Sequence, residues 1–217
     1  MQQNITYIPY EKLTNIERID ETSDVAKKAL NLDKGEYIVY KEFDNKFDEF
    51  KHELNIITSF ITSLKRNKNI IKFIGVSEDK ENSIYYIIME YAEEGNLRHY
   101  LKNKPDFEKQ LQLAHNITSG LVYLHSDLIQ HDKNIVISHG RAKIIDFGNS
   151  IHSENQKNNK HIGCLPFMAP ELLKDPNNIE YTKKEKNIAS THNEYLTLYR
   201  NCWEDSPNKR PNIEDVE

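Results

Sequence analysis

With 217 residues, the chain is long enough for one large domain or two small ones with a proper core. At 37% hydrophobic and 29% charged it is polar but lacks the balance of a disordered chain, and its net charge of −5 gives no general attraction for nucleic acid or an anionic membrane. Two cysteines, Cys164 and Cys202, exclude a disulfide framework and suit a reducing cytosol. The longest apolar run, residues 84–89, is far short of a membrane span, and the first residues lack the pattern of a signal peptide. The expected compartment is therefore the cytoplasm, without nucleic-acid or membrane partners. The nine histidines do not fall at metal-finger spacings.

In chain order, residues 1–36 are polar and weakly periodic, apart from a possible strand at residues 5–10. Residues 37–40 form a β-prone run that ends near Lys41. Phe47, Phe50, Leu54, Ile57, Ile61 and Leu64 then recur at steps of three and four, which predicts an amphipathic helix with Glu53 on the edge of its apolar stripe. Residues 70–76 and 84–89 read as strands around a polar loop at residues 77–83. A short helix is expected near residues 97–101. A longer one follows, capped by Asp106, with the stripe Phe107, Leu111, Ala114, Ile117, Leu121 and Leu124. Residues 135–137 and 142–145 suit a small hairpin, and residues 149–162 read as a polar loop. Tyr195, Leu198, Tyr199 and Cys202 give one more helical face, and Pro211 suits a helix's first turn. Strands with one inserted helix, then helices around a hairpin, suit two unlike lobes joined near residues 90–94.

One ordered constellation carries chemistry. Lys41 ends a strand and Glu53 lies on the next helix. Asn134 opens the hairpin, Asp146-Phe147-Gly148 follows its second strand, and Ala169-Pro170-Glu171 comes after the polar loop. This set, on these element types, resembles a protein kinase. Further stretches carry the resemblance, which is closest to the tyrosine-kinase-like serine/threonine group: residues 69–73, residues 89–98, Tyr123-Leu124-His125, and Cys202-Trp203 with residues 207–211. It implies an α+β, two-lobed fold. Residues 1–89 would form an N-lobe of antiparallel sheet with one helix, residues 90–94 a hinge, and residues 95–217 a shortened, mainly helical C-lobe.

The resemblance also implies ATP and Mg²⁺ as cofactors. Lys41 would contact phosphate oxygens and Glu53 would steady its stem. Met89 stands in the gatekeeper place, and adenine would lie against Glu90 and Ala92. Asp146 and Asn134 offer hard oxygen ligands suited to Mg²⁺. A pairing of Glu171 with Arg210 is implied as well. A protein substrate or signalling partner would complete the function.

The sequence also departs from the family pattern. The segment matching the glycine-rich phosphate loop, residues 19–25, holds no glycine and three acidic residues, and carboxylates there repel phosphate. His131 and Asp132 stand where the catalytic loop belongs, but Asp132, the candidate base, is two steps from Asn134 where the family has five. Asp127 is an alternative match, seven steps away. Cys164 and Phe167 replace a usual threonine and tyrosine, and residues 181–195 leave out the long buried helix of the family's C-lobe. The expectation is a kinase-family domain with impaired transfer. The alternatives are a pseudokinase acting as a binding or scaffold module, or a truncated product without a function of its own.

Overall fold

The computed structural model describes residues 5–19, 26–61, 67–124, 134–148 and 192–216. Its centre is built from the apolar, β-prone runs. β3 (Glu36–Asp44) and β5 (Ile84–Glu90) pair antiparallel, from Ile38 opposite Glu90 to Asp44 opposite Ile84. β4 (Phe73–Asp79) flanks β5. On the other side lie β2 (Ala26–Asn31) and β1 (Leu13–Arg18), giving the order β1-β2-β3-β5-β4. The weakly periodic stretch before residue 36 thus holds two strands that its composition hides. Leu13 is the one buried residue of β1, and only Ala29 and Asn31 are buried in β2. Their polar side chains are tolerated because the pairing is made by backbone, β1 against β2 and β2 against β3. β4 starts later than expected, at Phe73, and runs through Ser77 to Asp79.

Residues 5–10 do not form a strand. Tyr7 bridges Val76 in parallel, Ile8 N–H donates to Val76 O at 2.9 Å, and Val76 N–H donates to Thr6 O at 2.9 Å. Tyr10–Lys12 then coil into a 3-10 turn. Gly75 permits this approach, since a Cβ there would lie 2.2 Å from Thr6 O.

Strand alternation splits the sheet into two faces. The outer face carries Leu13, Ala29, Ile38, Tyr40, Tyr86 and Ile88, and Ile8 packs in the same cluster. Tyr10 stacks on Tyr86 at 5.0 Å, and Tyr86 meets Tyr40 edge-on at 5.2 Å. The inner face carries Phe43, Ile87 and Met89. Against them pack Phe50, Ile56 and Ile57 of α1 (Phe47–Ile61), the expected amphipathic helix. Each such side chain, fully buried, contributes about 1.5–3 kcal/mol. Leu64 of the predicted stripe lies outside the described residues.

α2 (Leu97–Leu101) starts at Asn96, whose side chain accepts the His99 N–H. α3 (Phe107–Leu124) is capped as expected, with Lys109 N–H donating to Asp106 Oδ1 at 2.8 Å. Its packed face keeps Ile117, Leu121 and Leu124 of the expected stripe but departs from it elsewhere. Leu113, Asn116, Gly120 and Leu124 face inward, while Phe107 and Leu111 are 44% and 45% exposed. The face is chosen by close approach to β6 (Ile135–Ser138) and β7 (Arg141–Ile144), an antiparallel hairpin. A Cβ on Gly120 would lie 2.8 Å from Ile144 Cδ1. Phe107 instead stacks on His192 at 5.1 Å. Beyond it lie α4 (Asn193–Cys202), a 3-10 turn at Pro207–Lys209 and α5 (Ile213–Val216). Tyr195 and Cys202 of α4 are exposed, and Pro211 precedes α5 rather than entering its first turn.

The hairpin is bound to the sheet side by backbone. Ile71 N–H donates to Ile144 O at 2.9 Å and Ile144 N–H to Asn69 O at 2.8 Å. Two buried amides grip Ala142: Asn69 Nδ2 donates to its carbonyl and Asn116 Oδ1 accepts its N–H. Buried Leu124, Ile144 and Phe147 join the inner-face core, so one apolar cluster spans both halves of an α+β, two-lobed architecture. Among the described residues, no helix is long and apolar enough to cross a membrane.

Candidate functional site

β3 places Lys41 on the inner face of the sheet, between Val39 and Phe43, within the strand rather than at its end. On α1, Glu53 falls between Phe50 and Ile57 at steps of three and four, so it shares their buried face and is only 1% exposed. The two side chains meet: Lys41 Nζ donates to Glu53 Oε2 at 2.8 Å. The same ammonium donates to Asp146 Oδ1 at 2.8 Å. Three residues expected to act together are thus joined across 105 positions of sequence.

Burial alone would lower the Lys41 value, but Glu53 and Asp146 outweigh it and hold the ammonium above its ordinary range. Glu53 lies above the usual carboxylate range, because burial outweighs what Lys41 returns. Two carboxylates around one ammonium leave an excess negative charge when all three are ionised. Such a site favours a further cation.

The backbone around Asp146 is specialised. Asp146 has φ +63°, a left-handed conformation in which Asp and Asn are among the few tolerated side chains. Its Oδ1 also accepts the Gly148 N–H at 3.2 Å. A Cβ on Gly148 would lie 3.1 Å from Glu53 Oε2, 3.3 Å from Asp146 Oδ1 and 3.4 Å from Lys41 Nζ. A side chain there would crowd the two carboxylates. Phe147 is buried in the inner core, and its backbone N–H donates to the Glu53 carboxylate. Asn134 is buried just before β6, and its carbonyl accepts the Ile145 N–H at 2.8 Å. That bond extends the hairpin pairing by one step, so Asn134 and Asp146 stand at the same end of it. An amide oxygen and a carboxylate are hard donors, which fits Mg²⁺.

Met89 is buried on the inner face at the end of β5. Glu90 Oε1 accepts from Lys143 Nζ at 2.6 Å and from Lys72 N–H at 2.9 Å, so its side chain ties three segments together. Ala92 O accepts the Gly95 N–H in the turn that follows. Lys143 was not singled out by sequence. It sits in a short strand of alternating burial, and no motif marks it. Gly148 was visible only as part of Asp146-Phe147-Gly148. Asp132, Asp127, Cys164 and Glu171 lie outside the described residues, as do residues 20–25. Arg210 Nε donates to Glu204 O at 2.8 Å.

Comparison with known proteins agrees with this geometry. The family model described as protein kinase domain matches residues 21–185. A serine/threonine/tyrosine-protein kinase of Arabidopsis thaliana is 27% identical over 216 residues, covering 77% of this chain and 53% of its own. A mitogen-activated protein kinase kinase kinase of Caenorhabditis elegans is 30% identical over 177 residues, covering 77% of this chain and 18% of its own. An RGS domain-containing serine/threonine-protein kinase of Dictyostelium discoideum is 31% identical over 158 residues, covering 69% and 13%. The chain thus spans about half the length of the first relative and under a fifth of the other two. With the family model covering most of the sequence, the chain belongs to the protein kinase family.

Proposed function

We propose that the chain binds Mg-ATP as a kinase-family domain, with residues 1–89 and 95–217 as lobes around a hinge at residues 90–94, and that it transfers phosphate to protein hydroxyls slowly. The observation that carries this reading is the single Lys41 ammonium held between Glu53 and Asp146. In this reading Glu53 fixes the lysine stem so that the ammonium can bind phosphate oxygens. Asp146 and Asn134 would hold Mg²⁺, which when bound neutralises phosphate charge. Backbone at Glu90 and Ala92 would take the base beside Met89, and Asp132 would serve as base for the attacking hydroxyl. The partner is a protein substrate or a signalling protein, and the compartment is the cytoplasm.

A pseudokinase reading is favoured by two features of the sequence. Residues 19–25 set three carboxylates where phosphate would be covered, and Asp132 stands two steps from Asn134. Three lost steps remove up to about 10 Å of reach, and a misplacement of about 1 Å can cost a hundredfold in rate. Two measurements test these readings. Mg-ATP should raise the thermal midpoint of the wild-type chain but not of Lys41→Met; no shift in the wild type at millimolar nucleotide overturns binding. Radiolabelled phosphate transfer to a generic protein should be slow or absent. Robust transfer that disappears in Asp146→Asn would reject the pseudokinase reading and make Asp132→Asn the next variant.

A further inference from the structure

The inner face of the sheet carries an unusual row. Lys28 of β2 pairs with Val39 of β3, which pairs with Met89 of β5. Paired residues of antiparallel strands project to one side, so Lys28 shares a face with Val39, Met89 and Lys41. Tyr37, two residues before Val39, shares it too. The Lys28 ammonium lies 4.0 Å from the centroid of the Tyr37 ring and 4.9 Å from that of Tyr91. The two rings are 6.3 Å apart and inclined at 58°. The lysine side chain is 21% exposed, and its ion pair with the more exposed Glu17 is long, at 3.7 Å.

Three separate segments therefore meet at one cation: β2, the start of β3, and the residue just past the last ladder pair of β5, Ile38 with Glu90. A surface lysine serving solubility alone would extend into water. This one lies against two aromatic faces, where the ring quadrupoles attract it. Tyr91 lies between Glu90 and Ala92, so whatever holds its ring also restrains the backbone on either side.

We propose that Lys28, held between Tyr37 and Tyr91, is a positioning residue that latches residues 90–92 to the sheet and so fixes the backbone on which a nucleotide base rests. The second half of this inference rests on the nucleotide-binding reading, whereas the latch itself does not. Lys28→Met keeps the stem and removes the cation. In the nucleotide-free protein it should speed amide hydrogen exchange across residues 90–96 by about fivefold, the loss expected for one partly desolvated cation–π contact. Mg-ATP affinity should fall by a similar factor. Lys28→Arg, which keeps a cation over the rings, should restore both, and Tyr91→Leu should act as Lys28→Met does. The urea midpoint of each variant is measured alongside, and the exchange change must be local to residues 90–96.

Unchanged exchange in Lys28→Met, or an Arg variant as impaired as Met, overturns the latch. Faster exchange with unchanged Mg-ATP affinity overturns the positioning role. If the wild type binds no nucleotide, the nucleotide-binding reading fails, and the exchange experiment still decides the latch.

Discussion

Glu53 is a carboxylate with almost no contact with water, and its ionised form is held chiefly by one shared ammonium. Removing that cation should be expensive: Lys41→Met leaves a buried charge unpaired, at a cost of about 3 kcal/mol at pH 7. The pH dependence identifies the cause. Glu53 sits above its ordinary range when folded, so between its unfolded and folded values the native state binds the extra proton. Stability from this group therefore rises as pH falls through that window. Losing Lys41 raises the folded value further, so the deficit of Lys41→Met should shrink on going from pH 7 to pH 5. Urea unfolding at both values checks this, and a deficit equal at both would assign the loss to packing. Gly148 supplies a second test. Gly148→Ala presses a methyl group against the triad and should cost about 1–2 kcal/mol by overpacking. An unfolding midpoint equal to the wild type would mean the triad yields freely.

Two other glycines set the distance between elements. Gly120→Ala should push α3 off β7, because its Cβ meets Ile144 and the Asn69 carbonyl, and a loss of about 1–3 kcal/mol is expected in urea. Gly75→Ala should release residues 5–8 from β4, since Thr6 O is backbone and cannot rotate away. Proteolysis would then cut before residue 10 while leaving the rest intact; equal resistance in variant and wild type contradicts this. These contacts also explain what the sequence shows. α1, β5 and the β6–β7 hairpin were legible because most of their apolar residues are the ones they bury. α2, which buries no residue, was legible only from the Gly95-Asn96 loop before it. β1 and β2 were not, because they bury so little. The face of α3 was legible at Ile117, Leu121 and Leu124, but Asn116 and Gly120, which no hydrophobic count selects, were hidden. The pairing of Lys41 with Glu53 followed from motif order, whereas Asp146 on the same ammonium, the Lys143–Glu90 pair and the Tyr37–Lys28–Tyr91 stack needed three dimensions.

At the scale of the molecule, one apolar cluster joins Ile87 and Met89 of the sheet, Ile57 of α1, Leu124 of α3, and Ile144 and Phe147 beside the hairpin. A core shared in this way couples its parts, so sheet and hairpin should unfold together. Leu124→Ala should cost about 2–5 kcal/mol and lower the thermal midpoint by equal amounts in near-ultraviolet and far-ultraviolet circular dichroism. Separate midpoints would show that the two halves melt independently. The parallel pairing of Tyr7 with Val76 has a consequence for biosynthesis. Residues 6–8 leave the ribosome about 70 residues before the strand they complete, a wait of roughly 4–14 s at translation speeds of about 5–20 residues per second. Through that interval Ile8 and Tyr10 have no surface to cover. Once β5 has paired with β3, the Tyr40, Tyr86 and Ile88 face remains bare until the segment docks. The nascent chain therefore exposes that face from the time its sheet forms until residues 6–8 dock, and that is the window in which a chaperone would have to shield it.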